Sequence, residues 1–195
     1  MVGRDTLVGL AWAVLAFALV PLPYVLPGLL GQPPPDLMGA YLDPLSGPAL
    51  LLGSTLGIAS EAILFSMGAM LLFVLARLLL RKDVLAAAAV VGILLAPQAA
   101  AGGDTLWLSL STAAVWEVTW ILLLLRFGLL AAAVGLFAHD LLVYLPLTAD
   151  LSAWTAGPTL LTLPVLAILA VVALRHALGG TGLRRALAGE PASRP

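Results

Sequence analysis

From Ala49 to Leu80 the chain carries only two charged residues, Glu61 and Arg77. So apolar a stretch cannot lie on the surface of a water-soluble domain. It also exceeds the ~20 residues that take a helix across the hydrocarbon core of a bilayer. Five further segments approach that length: Thr6 to Leu26, Val84 to Ala100, Thr105 to Leu125, Phe127 to Leu145 and Thr159 to Leu178. With 62% hydrophobic and 10% charged residues, the chain has too little polar surface to cover itself in water. Backbone polar groups in lipid must bond within their own segment, so each run is expected to be helical. The short alternation of a transmembrane barrel strand is absent. The expected fold is all-α: a polytopic membrane bundle of about six transmembrane helices.

The positions of the charges give the topology. The basic residues are Arg4, Arg77, Arg81, Lys82, Arg126, Arg175, Arg184, Arg185 and Arg194. With the runs taken as spans, every one falls on the same side. The opposite loops hold Asp36, Asp43, Asp104, Asp140 and Asp150 and no lysine or arginine. This is the positive-inside pattern, and it predicts both termini in the cytoplasm of a cell whose inner membrane holds the chain. The first run is expected to be a retained span and not a signal peptide, because Asp5 sits beside Arg4 and the run ends in "VPLPYVLPG" without a small-x-small cleavage pattern. Residues 1–180 form the predicted transmembrane domain, and 181–195 a mobile basic cytoplasmic tail. The longest outer connection, "GLLGQPPPDLMGAYLDPLSGP", is too rich in proline and glycine to be one helix.

Composition also limits the chemistry. A net charge of -1 offers no bulk attraction for nucleic acid. The absence of cysteine excludes disulfides, thiolate metal sites and a cysteine nucleophile, and two histidines at unrelated positions argue against a histidine-built zinc site. No phosphate-binding loop, nucleophile elbow or kinase signature occurs. The expectation is a non-catalytic chain with no metal and no cofactor.

Ionisable residues inside a membrane are costly, so each is a functional candidate. Glu117, in "STAAVWEVTWILLLLR", lies about 13 Å from Arg126 at helical rise and therefore near mid-bilayer. It flanks a face carrying Thr112, Trp116 and Trp120, and it reads either as a ligand-binding carboxyl or as a neutral acid bonding a neighbouring helix. Glu61, in "GSTLGIASEAILFSMGAM", lies about 24 Å from Arg77, towards the outer side. Gly53, Gly57, Ser60 and Gly68 around it are small enough for a close helix approach. His139 and Asp140 stand towards the outer end of the fifth run. Adjacent helical residues point about 100° apart, which predicts an interfacial polar end more than a dyad. In "VYLPLTADLSAWTAG", Pro146 is expected to end the fifth span, Thr148 or Asp150 to cap a short helical turn, and Tyr144 and Trp154 to sit at the interface. With the first outer loop, this stretch could form an outer sensing surface.

Several stretches occur together in one order: "VGRDTLVG", "LPGLLGQPPP", "ARLLLRKDVLAAAA", "LLLLRFGLLA", "LPLTADLSAWTAG" and "ALGG". In these the chain resembles the C-terminal multi-spanning membrane region of bacterial serine/threonine protein kinase-like proteins of the acidobacterial type. The kinase domain itself is missing, and none of the shared words is a catalytic motif. The resemblance implies a membrane module with an anchoring, scaffold or sensory role. Its partners would be the lipid bilayer, a cytoplasmic signalling domain or a second copy of itself. The alternative is a small transporter or a substrate-binding membrane subunit, which the Glu117–Trp116 neighbourhood would suit.

Overall fold

The computed structural model describes residues 2–29, 44–101, 106–145, 147–153 and 155–178. Helices follow one another as α1 (Val2–Phe17), α2 (Leu22–Leu29), α3 (Pro48–Leu80), α4 (Asp83–Ala101), α5 (Leu106–Phe127), α6 (Leu129–Tyr144) and α7 (Ala156–Ala177), with no strand among the described residues. Four of them, α3, α4, α5 and α7, are long and apolar enough to cross a membrane, and α6 is a shorter apolar helix. The architecture is that of a polytopic helical membrane bundle.

The breaks have local causes. The run from Thr6 to Leu26 is not one helix. Pro21 has no amide hydrogen to continue the ladder, and the backbone tightens before it, with Leu19 donating to Ala16 and Val20 to Phe17 over three residues. The turn between α3 and α4 is made at Arg81, which adopts a left-handed conformation (φ 58°) while its N–H caps the Arg77 carbonyl at 2.8 Å. Arg77 then reaches across the turn to the Asp83 carboxylate at the first turn of α4. Between α5 and α6 the chain reverses at Gly128 (φ 89°), a conformation that a side chain would strain. Helix α4 continues through Pro97 to Ala101, past the point where "APQAAAGGDT" predicts an outer turn. Residues 30–43 of the Pro-rich outer connection, Pro146 and the basic tail lie outside the described residues.

The packing core has two parts. The larger joins Ala62, Ala69 and Phe73 of α3, Ala86 and Val90 of α4, Trp120, Ile121, Leu123 and Leu124 of α5, and Ala131, Ala132 and Leu136 of α6. A smaller cluster, Ile58, Leu141 and Leu145, is closed by side chains of α3, α6 and α7. Helix α1 packs on α6 and α7 through the smallest residues available: Gly3, Thr6, Gly9, Ala13 and Ala16 are its buried positions. A β-carbon on Gly9 would stand 2.5 Å from the Ala131 carbonyl oxygen and 3.0 Å from the Gly135 nitrogen. One on Gly3 would collide with the backbone of Ala173 and Ala177. These contacts put Arg4, Arg175 and the Arg126 turn at one end of the bundle, in agreement with the charge pattern. Close helix approach is therefore made by Gly3, Gly9 and Gly135. The glycines of α3, which the sequence reading assigned to that role, are not used for it within the chain.

Candidate functional site

Helices α1, α5 and α6 bring together the densest set of polar and aromatic side chains among the described residues. The α5–α6 pair is antiparallel, and the tight turn at Gly128 sets its register. That register places Trp116 opposite His139 and Trp120 opposite Ala132. The Trp116 indole N–H donates to His139 Nε2 at 3.2 Å, and the Trp120 N–H donates to the Ala132 carbonyl at 3.2 Å. An indole nitrogen can only donate, so Nε2 is the accepting nitrogen of His139 and the ring proton resides on Nδ1. That proton points to Asp140 Oδ1, 3.0 Å away. The result is a directed chain from indole to imidazole to carboxylate.

Trp12 of α1 covers the cluster. Its ring lies 5.5 Å from that of Trp116 and 5.9 Å from that of His139, and its N–H donates to Thr119 Oγ1 at 3.1 Å. Trp116 and Trp120 stack at 6.1 Å with an 11° interplanar angle, and Phe65 of α3 meets Trp120 at 5.3 Å. Five aromatic rings thus tie four helices together.

The predicted candidates take different places. His139 and Asp140 are both buried, and their side chains bond each other, which corrects the expectation that the 100° between their positions keeps them from pairing. The 100° between adjacent positions sets only the Cα–Cβ directions, and the side-chain rotamers close the gap. Glu117 is buried in the bundle at 5% exposure, and its Oε2 has no hydrogen-bond partner among the described residues. Ser66 Oγ and Thr162 Oγ1 are orphaned in the same way. Glu61 is exposed on α3.

Asp150 lies in the loop after α6. There it accepts from the hydroxyl and the backbone N–H of Ser152 at 2.6 and 3.0 Å, and these bonds hold its carboxyl below the usual range, the hydroxyl bond first. Thr148 supports the same loop: its N–H donates to Thr159 Oγ1 on α7 at 2.8 Å, and its hydroxyl accepts from the Asp150 N–H at 3.1 Å. After α6 ends at Tyr144, the chain closes a turn from Asp150 to Ala153, with the Ala153 N–H donating to the Asp150 carbonyl at 3.2 Å and the Asp150 carboxylate capping the Ser152 N–H, as the sequence suggested. Trp154 lies outside the described residues.

Trp12 was not among the sequence candidates. The clue was available in its type, an indole within a span of a chain that also has Trp116 and Trp120, but its helix partners are set only by packing.

No protein-family model matches the chain, and no match is found among the curated proteins or the solved structures.

Among the described residues no cluster of three or more histidine, aspartate or glutamate side chains could hold a metal ion. Chemically, the cluster can hold and orient one proton at His139 Nδ1. At His139 the α5–α6 contact uses Nε2 as an acceptor, beside the bond from Trp120 to the Ala132 carbonyl.

Proposed function

We propose that this chain is a non-catalytic membrane module with an anchoring or sensory role, lying in a bacterial inner membrane with both termini in the cytoplasm. The observation that carries the reading is the Trp116–His139–Asp140 chain: Trp116 of α5 bonds His139 of α6 under the Trp12 ring, and His139 bonds Asp140. Such an arrangement serves to lock helices together, and an altered lock would shift their packing, the kind of two-state element a sensory module needs. The one-sided arginines support the orientation. The resemblance to the membrane region of kinase-like proteins supports a cytoplasmic signalling domain as partner. Asp140→Asn should weaken the orientation of His139 without removing it, lowering the thermal transition of the detergent-solubilised protein by about 1 kcal/mol of stability. Trp116→Phe should cost a similar amount, and the double variant should cost less than the sum of the two, because both act through one imidazole.

A second reading, a small transporter or substrate-binding subunit, has one observation in its favour: the orphaned Oε2 of buried Glu117, which a small cation could engage. A thermal-shift screen against inorganic and organic cations separates the two. A ligand at ~100-fold its dissociation constant stabilises by about 2.7 kcal/mol. The anchoring reading expects no such shift, and expects Glu117→Gln to cost less than about 1 kcal/mol, because the amide keeps the shape and gives up no bond at Oε2. A shift that disappears in Glu117→Gln would establish the transporter reading in its place.

A further inference from the structure

The arginine-bearing end of the bundle carries more positive charge than its acids balance. The α3–α4 turn holds Arg77, Arg81, Lys82 and Asp83, and the α5–α6 turn adds Arg126. Asp83 is the only acid of these two turns, and Arg77 engages it at 2.6 Å. Arg81, Lys82 and Arg126 are exposed, and none of them forms an ion pair with a described residue.

These three cations share one region. Helix α4 packs on both α3 and α5. Ala86, one turn after Lys82, and Leu124, two residues before Arg126, belong to the same packed core. Both turns therefore lie at one end of the bundle. Helix α5 has 22 residues, about 33 Å at helical rise and close to the ~30 Å of a hydrocarbon core. Arg126, in its last turn, thus stands where hydrocarbon gives way to headgroups. The surface next to the cations is apolar. Leu79 and Val84, on either side of Arg81 and Lys82, are 83% and 80% exposed, and Leu122, one turn before Arg126 on the same helix face, is exposed as well.

An occupant of this surface must meet two conditions. It must bring negative charge to the headgroup level, and it must cover the aliphatic side chains beside that charge. A water-soluble acidic partner meets only the first. A zwitterionic lipid carries its own ammonium beside its phosphate and meets only the second. A phospholipid whose headgroup is net negative meets both. We propose that Arg81, Lys82 and Arg126 form a site for the phosphodiester of an acidic phospholipid, whose acyl chains lie along α3, α4 and α5. An arginine offers paired N–H donors to two phosphate oxygens, and a lysine offers a point charge. Arg77 takes no part, because Asp83 holds it. This contact is separate from the Trp116–His139–Asp140 chain and holds whether or not the protein is an anchoring module.

The test uses the full chain in nanodiscs of phosphatidylcholine with phosphatidylglycerol as the minor lipid. Native mass spectrometry of the released protein should show phosphatidylglycerol retained over phosphatidylcholine by at least about tenfold relative to the bulk mixture. Lys82→Gln and Arg126→Gln should each lower that preference about fivefold, the effect of one cation beside an acidic headgroup. Arg126→Lys should keep most of it. Arg175→Gln removes an exposed cation at the same end, but on α7, which packs on α1, and should lower the preference less than about twofold. Asp83→Asn releases the Arg77 guanidinium and should raise the preference, a direction that loss of fold cannot produce. The glutamine variants should keep the wild-type thermal midpoint in phosphatidylcholine alone, so that a lost preference is not a lost fold. Inorganic phosphate, added at the concentration of the acidic headgroups, should not displace the lipid. Equal retention of the two lipids, an equal loss in Arg175→Gln and Lys82→Gln, a lowered preference in Asp83→Asn, or displacement by inorganic phosphate would overturn the proposal.

Discussion

Gly9→Val is expected to be the most damaging single substitution in the first helix. The valine β-carbon alone would stand 2.5 Å from the Ala131 carbonyl oxygen. The obstacle is backbone on a neighbouring helix, so no side-chain rotamer can relieve the clash. Gly135 faces the same contact from α6, where an added β-carbon would meet the Gly9 carbonyl oxygen at 3.2 Å and the Trp12 ring at 3.1 Å. Helix α1 must therefore move away, taking with it Thr6, Ala13 and Ala16 and pulling Trp12 off the Trp116 and His139 rings. Overpacking a well-filled interior costs about 1–3 kcal/mol, and a rigid obstacle places this case at about 3 kcal/mol or more. For a chain of this size that lowers the midpoint of thermal unfolding by about 10 °C. Gly92→Val, where the new side chain meets nothing within 4 Å, is the matched control and should leave the midpoint nearly unchanged. Equal midpoints for Gly9→Val and Gly92→Val would show that α1 does not depend on this contact.

The second large effect is expected at Trp120. Its side chain is 0% exposed, and it does three things at once: it stacks on Trp116, meets Phe65 of α3 and donates to the Ala132 carbonyl. Trp120→Ala should destabilise the bundle by about 3–5 kcal/mol, through lost contacts and the cavity left among four helices. Trp120→Phe keeps most of the packing but removes the indole bond to the Ala132 carbonyl, which keeps its helical bond, and should cost about 1 kcal/mol. Trp107→Ala removes an indole that is 56% exposed and should be nearly silent. Denaturant titration of the three variants in mixed micelles checks the order. If Trp120→Ala and Trp107→Ala proved equally mild, the aromatic cluster would not be the centre of the fold.

The candidate site was legible in its parts and not in its assembly. Glu117, His139, Asp140 and Trp116 stand out in the sequence because polar and indole groups are rare within apolar runs. Their pairing was not legible. The bond from Trp116 to His139 depends on the register of α5 against α6, which the left-handed Gly128 sets and no spacing rule reports. The bond from His139 to Asp140 depends on rotamers that burial under Trp12 selects. Glu61 and Glu117 look alike in sequence, each a lone carboxyl in a span, yet one is exposed and the other buried.

The sequence by itself determined the solvent and the helical nature of the apolar runs, though not every helix end: the first run divides into α1 and α2, and α4 passes through Pro97. Long apolar runs leave the backbone no option but helices in lipid, Pro21 and Gly128 place breaks, and the arginines gather at one end. Only the tertiary structure decided which faces meet. In water a buried face is marked by its apolar residues. In lipid the outward face is as apolar as the inward one, and hydrophobic periodicity carries no such mark. Small residues line α1 and α3 alike, but Gly9 lies against the backbone of α6 while Gly57 faces open space. That difference comes from how the helices pack in three dimensions, since close contact in a bilayer depends on the fit between whole helix surfaces.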